Sequence, residues 1–154
     1  MSPDGRDEWL DLEYAEPVLP IAILVYETFN PGALCRVSVS GQDGKEVEVW
    51  TEKPGPLKAS KRVTVVPTKV DFPTDRVMLH IASNAVPGWN EIDAVGIVDI
   101  SGKTHWAVVA TASSTFAEQQ PARFVVEPDR LERLESEVRQ LRNELRQVKE
   151  DLKK

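Results

Sequence analysis

The chain predicts an all-β sandwich followed by a C-terminal α-helical coiled coil, and three observations carry that reading. Apolar and polar residues alternate with the two-residue period of half-buried strands in a series of short runs between Trp9 and Ala112. Clusters of glycine, proline, asparagine and aspartate separate those runs, and no helical period appears before Asp129. From Leu131 onward apolar residues recur at alternating spacings of three and four, the signature of a heptad seam. With 154 residues, one compact domain over 1–127 and one helix over 128–154 is the natural division.

Trp9 to Tyr14 alternates apolar and acidic residues and reads as the first strand. Pro17 and Pro20 punctuate the chain before Ile21 to Phe29, a run apolar enough to be a central strand, and Asn30-Pro31-Gly32 turns it. Leu34 to Ser40 and Glu46 to Thr51, joined by Gly41-Gln42-Asp43-Gly44, form an antiparallel hairpin. Strands follow at Arg62 to Val66, Arg76 to Ala82, Ile92 to Ile100 and His105 to Ala112, with loops at Lys53 to Ser60, Pro67 to Thr74, Ser83 to Glu91 and 101–104. Arg123 to Val126 supplies a short strand or an extended arm. Pro128 restricts Glu127 to extended geometry, and Asp129 caps the helix.

The helix carries Leu131, Leu134, Val138, Leu141, Leu145, Val148 and Leu152 on one seam without a slip. In a parallel, in-register pairing Arg130 meets Glu135 of a neighbouring copy, Glu137 meets Arg142 and Glu144 meets Lys149, all opposite in sign. An antiparallel homodimer satisfies these charges less well, and a helix folded back on its own domain normally shows a wider apolar stripe. Self-association through a parallel seam is therefore expected. Arg130 to Glu135 is similar to a short trimerisation motif, which favours a homotrimer, with the dimer second.

Composition narrows the partners. The net charge is -6, with about -7 before Pro128 and a near-neutral helix, so no basic stripe is available for nucleic acid. Cys35 is the single cysteine and sits in an alternating run, where it reads as a small core hydrophobe rather than part of a disulfide framework. Two histidines are too few for a zinc site, and neither metal nor cofactor is expected. The start of the chain lacks a basic segment followed by an apolar one, and no run approaches about 18 apolar residues. The expectation is a soluble chain without membrane insertion, cytoplasmic by default.

Two longer motifs, Tyr26-Glu27-Thr28-Phe29-Asn30-Pro31-Gly32-Ala33 and Val86-Pro87-Gly88-Trp89-Asn90-Glu91-Ile92-Asp93-Ala94-Val95, resemble the discoidin-like, galactose-binding-like jelly-roll domains of the F5/8 type C superfamily. Asp4 to Leu10 and Phe72-Pro73-Thr74-Asp75 support the resemblance, which spans roughly Ser2 to Ile100. It implies a jelly roll that binds sugars, lipids or proteins through loops at one end. The family's opening strand and long loop are missing ahead of Asp4, and with them the structural calcium that several members hold. Thr104 to Ser114 looks like that opening strand at the other end of the domain, so a circularly permuted jelly roll is expected, with His105 to Ala112 filling the slot within one chain or by exchange between copies.

Ligand contacts are expected at Trp89, Asn90 and Glu91, because an aromatic face beside an amide and a carboxylate offers stacking plus directional hydrogen bonds. Packing of Trp89 over the sandwich end, with Asn90 and Glu91 tying the loop, is the competing reading. Glu27 and Asn30 are turn stabilisers or ligand contacts. Asp93 reads as hydrogen-bonded structure, and Trp9, Trp50 and Trp106 as core or inter-head contacts. His80 and His105 stand isolated in strands, Ser113-Ser114-Thr115 lacks a nucleophile elbow, and no carboxylate pair is defined, so no catalytic residues are expected. The expected function is a non-catalytic module whose clustered heads recognise a carbohydrate or protein surface. A structural assembly protein is the alternative, and a hydrolase stands third.

Overall fold

A computed structural model describes residues 7–114 and 122–125, and these residues form two antiparallel sheets. The strands are β1 (Asp7–Val18), β2 (Pro20–Phe29), β3 (Leu34–Ser40), β4 (Glu46–Thr51), β5 (Arg62–Pro67), β6 (Thr74–Ala82), β7 (Glu91–Asp99), β8 (Thr104–Trp106), β9 (Val109–Ala112) and β10 (Ala122–Val125). The six-stranded sheet runs β10-β9-β1-β6-β3-β4 and the four-stranded sheet β5-β2-β7-β8. The all-β sandwich expected from the alternating runs is present. The helix over 128–154, with every seam position from Arg130 to Leu152, lies outside the described residues.

The core follows from the period of two. Leu12 and Tyr14 of β1, Val37 and Val39 of β3, and Val77 and Leu79 of β6 face Ile23 and Val25 of β2, Val66 of β5, and Val95 and Ile97 of β7. Each fully buried side chain of this kind contributes roughly 1.5–3 kcal/mol. Tyr14 carries the core's polar handle: its hydroxyl donates to the Val95 carbonyl at 3.2 Å, joining the sheets, and burial pushes its phenol far above the usual range.

Several expectations are corrected by the pairing. His105 to Ala112 is two strands rather than one: β8 closes the edge of the four-stranded sheet on β7, and β9 lies beside β1 in the other sheet. The change of sheet falls at Ala107, whose amide donates to the Val95 carbonyl at 3.2 Å, and Val108, whose amide donates to the Glu13 carbonyl at 2.8 Å. Cys35 is half-buried, because it is the extra residue between the pairs Leu34 with Ile81 and Arg36 with His80. Pro17 does not end β1, which runs on to Val18 through the register slip after Glu13.

The two outer faces differ in kind. On the six-stranded sheet the outward positions are ionic: the Arg76 guanidinium grips the buried Asp11 carboxylate, with Nε at 2.8 Å, and Arg36 Nη2 lies 2.7 and 3.0 Å from the His80 ring nitrogens. On the four-stranded sheet the rows between Val63 and Pro67 carry no charge, and the exposed Asp93 and Glu91 of β7 lie beyond them at that strand's start. One row across the sheet is Val65, Leu24, Gly96 and Trp106; beside it lie Val63, Tyr26 and Ala94 on one side, and Pro67, Ala22, Val98 and Thr104 on the other.

Gly96 is required there by space. A Cβ built on it would stand 2.6 Å from Thr104 Cγ2 and 3.0 Å from the Trp106 ring, so the indole lies down against bare backbone. Tyr26 meets Trp106 with ring centroids 5.9 Å apart at a tilt of 55°.

Candidate functional site

Antiparallel pairing gathers the start of β1, the end of β2, the end of β6, the start of β7 and the end of β9 at one end of the sandwich. A cleft of about 710 Å³ opens there, lined by Glu8, Trp9, Phe29, Trp89, Asn90 and Glu91 among others. Trp89 is 51% exposed and Phe29 54%, unusual for side chains of their size.

Two irregularities in the pairing of β2 with β7 shape the mouth. Tyr26 pairs with Ala94 and Glu27 with Ile92, leaving Asp93 as an extra residue; Phe29 pairs with Glu91, leaving Thr28 as another. An extra residue re-aims its neighbours and strengthens the local twist. Asp93 and Glu91 are consequently both exposed, so Asp93 is not the hydrogen-bonded structural acid expected from its apolar neighbours.

The five expected ligand residues come together here in two roles. Trp89 and Glu91 present themselves to the cleft. Glu27, by contrast, is 4% exposed: its Oε1 accepts the Gly32 amide at 2.9 Å and its Oε2 the Thr64 hydroxyl at 3.3 Å, so its carboxylate serves the turn. Asn30 adopts φ 48° and donates its side-chain amide to the Pro87 carbonyl at 3.3 Å. Asn90 returns the bond, donating its own amide to the Asn30 carbonyl at 2.6 Å. Asn30 and Asn90 thus tie the β2 turn to the Trp89 loop. Gly32, at φ 114°, lets the backbone pass against Gly55, whose amide donates to the Gly32 carbonyl at 3.0 Å.

On the opposite wall Ser113 clamps β9 to β1. Its hydroxyl accepts the Trp9 amide at 2.9 Å and donates to the Glu8 carboxylate, while its own amide donates to the Trp9 carbonyl at 3.0 Å. The sequence singles out neither Phe29 nor Glu8 as a site residue, and Ser113 only as a serine without a nucleophile elbow. Phe29 alone carried a signal, as a large apolar residue directly before Asn-Pro-Gly.

The histidines lie elsewhere and are not isolated. His105 Nε2 is 2.8 Å from the Asp99 carboxylate, with Glu16 3.9 Å from its other ring nitrogen. Asp99 also accepts the Ser101 hydroxyl and the Ser101 and Lys103 amides, and these bonds, the hydroxyl's first and the ring's next, hold its carboxyl well below the usual range. The carboxylate here stands between hydroxyl and ring, an order that ties a turn and does not activate the serine. Among the described residues no three His, Cys, Asp or Glu gather as metal ligands, and no helix is long and apolar enough to cross a membrane.

No family model matches the chain, and no solved structure matches it. Among curated proteins, F-box/LRR-repeat protein 4 of Bos taurus is 31% identical over 99 residues, which is 57% of this chain and 16% of that protein. The match thus spans about a sixth of the length of that curated relative.

Proposed function

We propose that the chain is a non-catalytic recognition module: a discoidin-like jelly-roll head whose ligand site is the cleft at the sandwich end, gathered into a parallel homo-oligomer by its heptad tail. The observation that carries this reading is the pair of exposed aromatics, Trp89 and Phe29, at the mouth of a cleft whose loops are held by Asn30, Asn90 and Glu27. Rigid aromatic surface beside fixed polar groups is what recognition of a carbohydrate or a protein surface needs. The pairing of β9 with β1 supports the permuted jelly roll, since the second half of the segment similar to the family's opening strand lies beside β1. A match covering a small part of a much longer protein supports a modular head.

Clustering by the tail, as trimer first and dimer second, would raise weak single-site affinity by about 10² to 10⁴ on a repetitive surface. Binding of the full chain to arrayed glycans and to immobilised proteins, compared with Trp89→Ala and Leu141→Asp, tests both parts. Trp89→Ala is expected to abolish detectable binding and Leu141→Asp to remove the avidity. Equal binding by all three rejects the module.

A second reading, an assembly protein whose heads bind each other or a larger complex and take no small ligand, is favoured by the charge-free rows on the outer face of the four-stranded sheet. Concentration-dependent association of heads with no glycan binding would select it.

A further inference from the structure

An antiparallel sheet that faces water on one side normally alternates apolar with polar residues, as the six-stranded sheet does. The four-stranded sheet does not: Ile23 and Val25 point into the core while Leu24 and Tyr26 point out, and in the rows from Val63 to Pro67 the outward positions offer only the Tyr26 and Thr104 hydroxyls as polar groups, with Thr28, Asp93 and Glu91 beyond them at the cleft end. Val63 and Val65 stand 50% and 57% exposed on the edge strand β5. A sheet apolar on both faces has a second surface to cover.

We propose that a second copy of this chain covers it, the two heads pairing back to back through the outer faces of their four-stranded sheets. Three arguments select that occupant. A sugar needs directed polar groups, and this face has two hydroxyls. A charged partner finds no counter-charge within these rows, since the exposed carboxylates of β7, Glu91 and Asp93, stand outside them.

The third argument is area. The face measures about 17 Å along the strands and about 19 Å across them, on the order of 300 Å² per head. A free partner needs about 800 Å² per side for a stable complex. A copy already tethered through the tail meets the face at millimolar effective concentration, and a small contact then suffices. The proposal therefore rests on the parallel heptad seam put forward above.

The seam also fixes the geometry. A two-fold axis parallel to the strands keeps both chain ends on the same side, as a parallel seam demands, and lays β5 of one head across the partner's β8. Val63 and Val65 then meet the flat surface formed by the partner subunit's Trp106. A contact made by the same patch on both copies closes at two, so the face requires the seam's second reading, the dimer, in place of the trimer.

Sedimentation equilibrium of the full chain over a dilution series tests this, with Val65→Lys and Val63→Lys as separate exposed-edge variants and Glu48→Lys, on the outer face of the other sheet, as control. The wild type is expected to hold two copies. Each valine variant should need at least a tenfold higher concentration to stay paired at unchanged melting temperature, and Glu48→Lys should not. Leu141→Asp should give single copies. Valine variants that pair like the wild type, an equal shift in Glu48→Lys, or a three-copy wild type overturns the face. Single copies in the wild type overturn the seam together with the face. Loss of pairing in Leu141→Asp without any change in the valine variants keeps the seam and rejects the face alone.

Discussion

Asn90 donates its side-chain amide to the Asn30 carbonyl at 2.6 Å, and Asn30 donates its own to the Pro87 carbonyl at 3.3 Å. Two loops far apart in sequence are thereby held as one wall of the cleft. Asn90→Ala removes the shorter bond and is expected to cost about 1 kcal/mol in urea unfolding. Its larger effect should be on the Trp89 loop, read as faster amide hydrogen exchange over Val86 to Glu91 with exchange in β3 and β6 unchanged.

Glu27 shows how a buried acid can serve shape. With its two oxygens accepting the Gly32 amide and the Thr64 hydroxyl, Glu27→Ala leaves both donors unpaired in the interior and should destabilise by about 2–4 kcal/mol. Glu27→Gln keeps an acceptor for Gly32 and should cost less than half as much. Equal losses in denaturant titration would place the carboxylate's role elsewhere.

His80 makes stability depend on mild acid. Burial first, and the adjacent Arg36 charge second, hold its imidazole below the usual 6.5, while Glu46 and Asp7 oppose them. The unfolded chain therefore binds this proton more readily than the folded one. Its contribution is fully present above about pH 6.5 and is lost as pH falls toward the lowered folded value. Melting temperatures between about pH 7.5 and about pH 5.5 should decline less in His80→Gln than in the wild type.

Gly96→Ala drives a methyl against Thr104 and Trp106 and should destabilise by about 1–3 kcal/mol. The Trp106 ring must lift, so near-ultraviolet circular dichroism should change as well. Combining it with Thr104→Ser should recover much of the loss, because the tightest approach, 2.6 Å, is to the Thr104 methyl.

What the sequence carried is what a single strand can state about itself. The hairpin of β3 and β4 was bounded correctly because Leu34 to Ser40 and Glu46 to Thr51 each alternate and a Gly-rich turn joins them. What it did not carry depends on the strand across the sheet. Cys35, Thr28 and Asp93 are extra residues only relative to Ile81 and His80, or to β7 and β2, so the direction of each side chain was hidden. The break at Ala107 and Val108 was hidden too, because His105 to Ala112 is evenly apolar and nothing local marks a change of sheet. At the cleft, Trp89, Asn90, Glu91, Glu27 and Asn30 were legible through two motifs. Their division into presented and supporting residues came only with the burial of Glu27.

The placement of β9 beside β1 bears on how the chain acquires its shape as it is made. Of the described strands β1 emerges earliest, and it gains its neighbour on one side from β6, but on the other only when residues near Ala112 emerge. Until then one long edge of β1 stands open, and the contact that shuts it joins points about a hundred residues apart, a slow closure for any polypeptide. Nascent heads crowded on neighbouring ribosomes are thus most prone to stick to one another in the interval before β9 arrives.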